Sequence, residues 1–126
     1  MLASTDLKPI TERIIGCAFA VPRVLRSGFR ERVFGNALAI KMQEAGLVFE
    51  REVPVTVDFE GHNAGDVVAD MLVERRVLVE IQAVRALDES HIAQCPNYMA
   101  ATHISTCLLL NFGTPTVGLN RLFLQV

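Results

Sequence analysis

Three polar side chains interrupt two otherwise apolar stretches near the middle of the 126-residue chain. Residues 67–73 contain Asp70, and residues 77–84 contain Glu80 and Gln82. An unpaired carboxylate among Val and Leu side chains costs several kcal/mol, so a protein keeps one there when it binds or pairs with something. Carboxylate and amide oxygens suit hard cations such as Mg²⁺. The residues therefore favour a divalent-metal site. In the alternative, Asp70 pairs with an arginine and Glu80 reaches solvent.

The two stretches predict a β-hairpin, because they flank a charged turn at residues 74–76. Side chains alternate between the two faces of a strand. Asp70 is therefore expected on one face of the first strand, and Glu80 and Gln82 on one face of the second. The opposite face of the first strand is predicted to carry four apolar side chains, Val67, Ala69, Met71 and Val73.

The segments before this hairpin predict two helices and a strand. Residues 1–9 are interpreted as a loose leader. Helical spacing begins at Ile10 and is expected to break near Pro22. A second helix is predicted over residues 29–45, stopped by Gly46. Its inner side is expected to carry Val33, Ala37, Ile40 and Ala45. Residues 49–59 alternate as a half-exposed strand, in which Pro54 favours an edge position and Arg51 falls in phase with the apolar residues.

The segments after the hairpin predict a helix and two strands. Asp88 is a suitable N-cap for a helix running to about residue 101, which contains Pro96. Residues 106–112 are continuously apolar, as in a strand buried on both faces. A last strand is predicted over residues 119–126. The resulting order, α-α-β-β-β-α-β-β, indicates a single α/β domain with a mixed sheet.

Composition excludes several classes of protein. A chain that is 51% hydrophobic and 21% charged is globular rather than disordered, and no apolar run approaches the roughly 18 residues of a membrane span. The net charge of −2 provides no global basic field that would attract nucleic acid. Contact with nucleic acid would therefore need a local basic patch. The candidates for such a patch are the four arginines at positions 23, 26, 30 and 32. Cys17, Cys95 and Cys107 lack CxxC spacing and predict reduced thiols in a cytoplasmic protein.

Three separated segments resemble one known protein family. They are GFRERVFGNALAIKMQEAGLVFEREVPV, GDVVADMLVERRVLVEIQAV and HIAQCPNYMAATHISTCLLLNFG. In this order they resemble the GxxExxY family of the PD-(D/E)XK nuclease superfamily, and the resemblance runs from about residue 10 to 126. It implies a restriction-endonuclease-like αβββαβ core, preceded here by an extra N-terminal helix.

The resemblance also implies roles for individual residues. Asp70 and Glu80, with the carbonyl of Ile81, match the positions that hold Mg²⁺ or Mn²⁺, and Gln82 stands where the superfamily usually has a catalytic lysine. Supporting roles are implied for Glu31, in the motif Gly28-x-x-Glu31-x-x-Phe34, and for a QxxxY pair, Gln94 and Tyr98. From spacing alone, Glu31 equally suits a helix N-terminus, and Gln94 and Tyr98 suit helix–sheet packing. The implied activity is metal-dependent hydrolysis of phosphodiester bonds in DNA or RNA.

The missing lysine leaves three functions open. Gln82 can donate a hydrogen bond but carries no charge, so the activity is expected to be weakened. The rival is a nuclease-fold domain that has lost the chemistry and serves as a binding or assembly module. A hydrolase of another phosphate ester is the third. No membrane partner is expected, whereas a partner protein or a second copy of the chain is a candidate, with residues 49–59 or the last strand as a dimer edge.

Overall fold

The computed structural model describes residues 7–123 as three helices and five strands. The helices are α1 (Lys8–Ala20), α2 (Glu31–Glu44) and α3 (Glu89–Thr102), and a short 3₁₀ turn, Val21–Arg23, follows α1. The strands are β1 (Phe49–Phe59), β2 (His62–Val73), β3 (Val77–Gln82), β4 (Thr106–Asn111) and β5 (Gly118–Phe123). The predicted order of elements and the α/β class are confirmed.

The five strands form one mixed sheet in the order β1-β2-β3-β4-β5. The first three strands form an antiparallel meander, and β5 is antiparallel to β4. β4 runs parallel to β3, because α3 carries the chain back across the sheet between them. β1 is an edge strand, which accommodates Pro54 without the loss of a central hydrogen bond.

Helices cover both faces of the sheet. α1 and α2 pack on one face, where Ile14 and Phe34 lie in one cluster with Val79 and Leu108. α3 packs on the other face, where Met99 lies against Leu78 and Leu109. β3 and β4 are buried along their whole length, since helices cover them from both sides. Within residues 7–123, no helix has the length and apolarity needed to cross a membrane.

The sequence located the helix boundaries better than their buried faces. The 3₁₀ turn contains Pro22, and Gly46 follows α2 with a φ of +78°. Asp88 caps α3. However, α2 buries a different stripe from the predicted one: Ile40 is 57% exposed, Ala45 is exposed, and Val33 and Ala37 are only partly buried. The buried residues are Phe34, Gly35, Leu38, Ala39 and Met42. Several apolar stripes of this helix satisfy the helical period, and packing against α1 and the sheet selects among them.

The N-terminal boundary lies earlier than predicted. α1 begins at Lys8, with Pro9 in its first turn, where a missing backbone N–H costs nothing. Leu7 is already buried. The part of the expected leader at residues 1–6 lies outside the described residues, as does the end of the predicted last strand at residues 124–126.

The prediction that all three cysteines are reduced is wrong for two of them. Cys95 of α3 and Cys107 of β4 form a disulfide, with their Cα atoms 6.0 Å apart. Cys17 is a buried free thiol, and burial raises its pKa. Spacing along the chain did not reveal the pair, because only the β3–α3–β4 crossover places this side of the helix over β4.

Candidate functional site

The strands β2 and β3 separate at Asp70 and Glu80. Toward the hairpin turn they pair regularly through Met71–Val79, Leu72–Leu78 and Val73–Val77. At the next position the pattern changes. The Asp70 backbone N–H donates to the Glu80 carboxylate at 3.0 Å, and the Ile81 N–H donates to the Asp70 carboxylate at 2.7 Å. At this position, side-chain carboxylate oxygens accept the N–H groups in place of backbone carbonyl oxygens. Both carboxylates therefore lie at the point where the two strands separate. We call Asp70, Glu80 and Ile81 the fork.

The predicted alternation along β2 also fails at the fork. Met71 and Val73 pack on the α1–α2 face, but Ala69 packs on the α3 face, so the four residues do not share one face as expected. Glu52 of β1 lies between the residues paired with Met71 and Ala69 and has a φ of +53°. The β1–β2 register continues unchanged across this position, so the irregularity lies in the local backbone and inserts no extra residue.

Glu80 is a buried carboxyl group, so the alternative in which it reaches solvent is wrong. Its side chain is 0% exposed. Oε2 accepts the Asp70 N–H, whereas Oε1 is buried without a hydrogen-bond partner among the described residues. Burial raises the pKa of Glu80 to about 8, and the charges of Asp70 and Glu31 add to that rise. A bound cation would satisfy the unpartnered oxygen and replace the proton, so this residue fits a metal ligand.

Asp70 is half-buried beside Glu80. Burial raises its pKa, while the hydrogen bond from Ile81 and the charge of Arg51 act in the opposite direction. The alternative in which an arginine pairs with Asp70 is not what the structure shows, because no ion pair of Asp70 occurs among residues 7–123. Two adjacent carboxyl groups that both resist ionisation are typical of sites that bind cations or handle protons.

A cavity of about 190 Å³ opens onto the fork from the α2 side. Three carboxylates and two guanidinium groups line it, together with Met71 and Ile81: Glu31, Glu52, Asp70, Arg32 and Arg51. Glu31 is the first residue of α2, and burial and the Asp70 charge raise its pKa. Both interpretations of Glu31 are therefore compatible with its position, at a helix N-terminus that faces the fork.

The QxxxY pair lies on the other side of β3. Gln82 is buried, and its Nε2 donates to Gln94 Oε1 at 3.4 Å. Gln94 Nε2 in turn donates to the Tyr98 hydroxyl at 3.1 Å. Pro96 lies inside α3 between the two helix residues and does not prevent this contact. The structure thus joins Gln82, Gln94 and Tyr98 in one chain of hydrogen bonds. Gln82 is the end of this chain that lies next to the fork, directly after Ile81.

Other polar residues near these motifs have structural partners. His91 belongs to a capping box, in which the Asp88 N–H donates to His91 Nδ1 and the His91 N–H donates to Asp88. Asp66 accepts hydrogen bonds from Thr56 and Asn63, away from the fork. Across residues 7–123, no three His, Cys, Asp or Glu side chains are grouped to hold a metal ion. Backbone, water and substrate oxygens would have to complete a coordination shell, as is usual for Mg²⁺.

The sequence did not single out Arg51 or Glu52 as site residues, and it singled out Arg32 only as part of the arginine patch at positions 23, 26, 30 and 32. The structure places all three on the cavity beside Asp70. For Arg51 a signal was present, since a charged residue fell in phase with the apolar side of β1. Its meaning depended on which helix covers that side.

Comparisons with known proteins agree with the fold. A family model described as the PD-(D/E)XK nuclease superfamily matches residues 8–122. The solved structure of SSO0001 superimposes with a TM-score of 0.58 at 14% identity, covering 75% of this chain and 50% of that one. An alkaline exonuclease from Laribacter hongkongensis, LHK-Exo, gives a TM-score of 0.50 at 14% identity, covering 99% of this chain and 72% of its own. The chain thus spans half the length of SSO0001. No curated protein matches the sequence.

Proposed function

Since the chain belongs to the PD-(D/E)XK nuclease superfamily, we propose that it is a divalent-metal-dependent, nuclease-like protein that hydrolyses phosphodiester bonds in nucleic acid. Within the superfamily we assign it to the GxxExxY type, on the motif residues Gly28, Glu31 and Phe34. The observation that carries the proposal is the fork. Asp70 and Glu80 are held side by side at the point where two strands separate, and one buried Glu80 oxygen has no hydrogen-bond partner among the described residues.

The proposed cofactor is Mg²⁺ or Mn²⁺. Asp70, Glu80 and the carbonyl of Ile81 would hold the ion, and Glu31, which lines the same cavity as Asp70, would add negative charge nearby. When bound, such a metal supplies Lewis acidity toward the phosphate and a more acidic water. The remaining contributions come from the protein itself, and they concern position and charge.

In the proposed hydrolysis a water oxygen attacks the phosphorus atom. The bond from phosphorus to one sugar oxygen breaks, that oxygen takes a proton, and the products are a phosphate monoester end and a hydroxyl end. Asp70 and Glu80 would hold the ion, since two carboxylates by themselves repel a phosphate. Gln82 contributes a neutral amide held by Gln94, which orients a hydrogen-bonded group without adding charge.

The test is a calorimetric titration of Mn²⁺ and Mg²⁺ into the wild type and into Glu80→Ala. We expect saturable binding in the wild type and none in the variant. Asp66→Ala is the matched control, because it removes an exposed carboxylate from the neighbouring strand β2, outside the cavity. Cleavage is then assayed on single- and double-stranded DNA and RNA. A folded wild type that binds neither ion would contradict the proposal.

The rival function is a binding module that keeps the fold without the chemistry. The observation that favours it is Gln82, whose amide stands at the lysine position and is tied to Gln94. The rival predicts binding of nucleic acid or protein whose affinity does not change with Mn²⁺ or with Glu80→Ala.

A cytoplasmic location and a dimer through the sheet edges β1 or β5 are further parts of the proposal. Sedimentation of the purified chain tests whether it forms the dimer.

A further inference from the structure

We propose that Arg51 contacts the phosphate group of the substrate and supplies the positive charge that Gln82 lacks. This inference rests on the proposed function, because it places the phosphate beside Asp70 and Glu80. It assigns a specific role to a residue of β1, outside the hairpin that carries the two carboxylates.

The first observation is the place of Arg51. Its side chain lines the same cavity as Asp70 and Ile81, and its exposure leaves it accessible from solvent. Gln82 donates its amide to Gln94 and carries no charge. On the α2 side of the sheet, Arg51 and Arg32 are the two cationic residues that line the cavity beside Asp70.

The second observation is how Arg51 is held. Its Nη1 donates to the Asn36 side-chain oxygen at 2.9 Å, which is a neutral partner, while its charge acts on Asp70 without a direct ion pair. Among residues 7–123, Arg51 has no carboxylate within ion-pair distance. Arg32 lines the cavity too, but no side-chain hydrogen bond fixes it within that part of the chain. A fixed guanidinium loses less conformational freedom when it binds a phosphate.

The third observation is the space that receives the guanidinium. Gly35 lies inside α2, where glycine is less favourable than alanine. A Cβ at this position would lie 3.1 Å from Arg51 Nη2 and 3.6 Å from Ile81 Cδ1. α2 therefore has a glycine at the position where the guanidinium group of Arg51 packs against the helix. Gly35 and Asn36 together position Arg51.

The test is calorimetric titration of inorganic phosphate into the protein saturated with Mn²⁺. For Arg51→Gln we expect phosphate affinity to fall by about 10- to 100-fold, the range for a hydrogen bond to a charged group. Arg75→Gln, at the exposed hairpin turn, is the matched control and should bind like the wild type. Gly35→Ala should weaken phosphate several-fold while the melting temperature stays equal or rises, which separates the position of Arg51 from stability.

A second variant pair tests the substitution for lysine directly. Gln82→Lys should restore phosphate affinity in the Arg51→Gln background more than it adds to the wild type, because the two cations would serve the same group. If Arg51 only neutralises the carboxylates, Arg51→Gln would tighten Mn²⁺ and leave phosphate unchanged, which would overturn the inference alone. A wild type that takes Mn²⁺ but no phosphate would also overturn it. Absence of Mn²⁺ binding would overturn the proposed function as well.

Discussion

The two ends of the β2–β3 pair differ in what holds the strands together. Near the hairpin turn, three residue pairs are joined by backbone hydrogen bonds, and Met71, Val73, Val77 and Val79 are buried among apolar neighbours. At the fork, the carboxylates of Asp70 and Glu80 accept the N–H groups instead. The same two strands thus stabilise the fold at one end, and at the other they hold a buried carboxylate oxygen of Glu80 that has no hydrogen-bond partner among the described residues. The difference shows that the site is made by interrupting the ladder at the end away from the hairpin turn.

The largest expected effect is on chemistry at the fork. We expect Asp70→Asn to remove metal binding and to lower the cleavage rate on the order of 10³-fold, because a metal supplies several kcal/mol of charge stabilisation. Asp66→Asn, four residues earlier on β2, should leave both unchanged. Single-turnover kinetics with Mn²⁺ provide the measurement. Equal losses in the two variants would show that the fork is not special.

The next effect is on stability at the regular end. Met71 is 1% exposed, and we expect Met71→Ala to lower the free energy of unfolding by about 2–5 kcal/mol, since it leaves a cavity in the core. Val68 on the same strand is 53% exposed, and Val68→Ala should change stability by less than about 0.5 kcal/mol. Urea unfolding measures both. A loss below 1 kcal/mol in Met71→Ala would contradict the contrast between the two ends.

The third effect is a pH dependence that belongs to the fork. The pKa of Glu80 is about 8 in the folded chain and near 4.5 when unfolded, so the folded state holds an extra proton between these values. Stability without metal should therefore be full below pH 4.5, decline as pH rises, and level off above about 8. Glu80→Gln should flatten that slope, as measured by urea unfolding from pH 4.5 to 9. Mn²⁺ affinity of the wild type should rise with pH over the same window, because the ion displaces the proton.

If the slope of the free energy of unfolding were the same in wild type and Glu80→Gln, the buried carboxyl group would not be protonated as described. Asp66→Asn provides the comparison for a carboxylate outside the fork.

The smallest effect concerns the chain of amides behind β3. Tyr98→Phe removes the hydroxyl that accepts from Gln94 at 3.1 Å, so stability should fall by about 0.5–1.5 kcal/mol. If this contact orients Gln82, cleavage should fall only a few-fold and Mn²⁺ affinity should not change. Gln94→Ala combined with Tyr98→Phe tests the coupling, and the two losses should not be additive. Additive losses would show that the residues act separately.

The sequence alone determined the elements and the identity of the two carboxylates. Asp70 and Glu80 stood out because charges within apolar strands are costly, and turn and capping residues such as Gly46 and Asp88 fixed boundaries through local backbone chemistry. These signals depend on residues that are close together in the chain, so they can be recognised without knowing how the helices and strands pack.

Only the tertiary structure decided which faces meet. Arg51 reached the fork because β1 pairs with β2 and α2 leaves space at Gly35. Cys95 forms a disulfide with Cys107 because α3 crosses over β4. Ile40 is exposed, contrary to the prediction, because a different stripe of α2 faces the sheet. In each case several arrangements satisfy the same local period, and the choice among them depends on residues far apart in the chain. For that reason the carboxylates were predictable, whereas the positive charge beside them was found only in the fold.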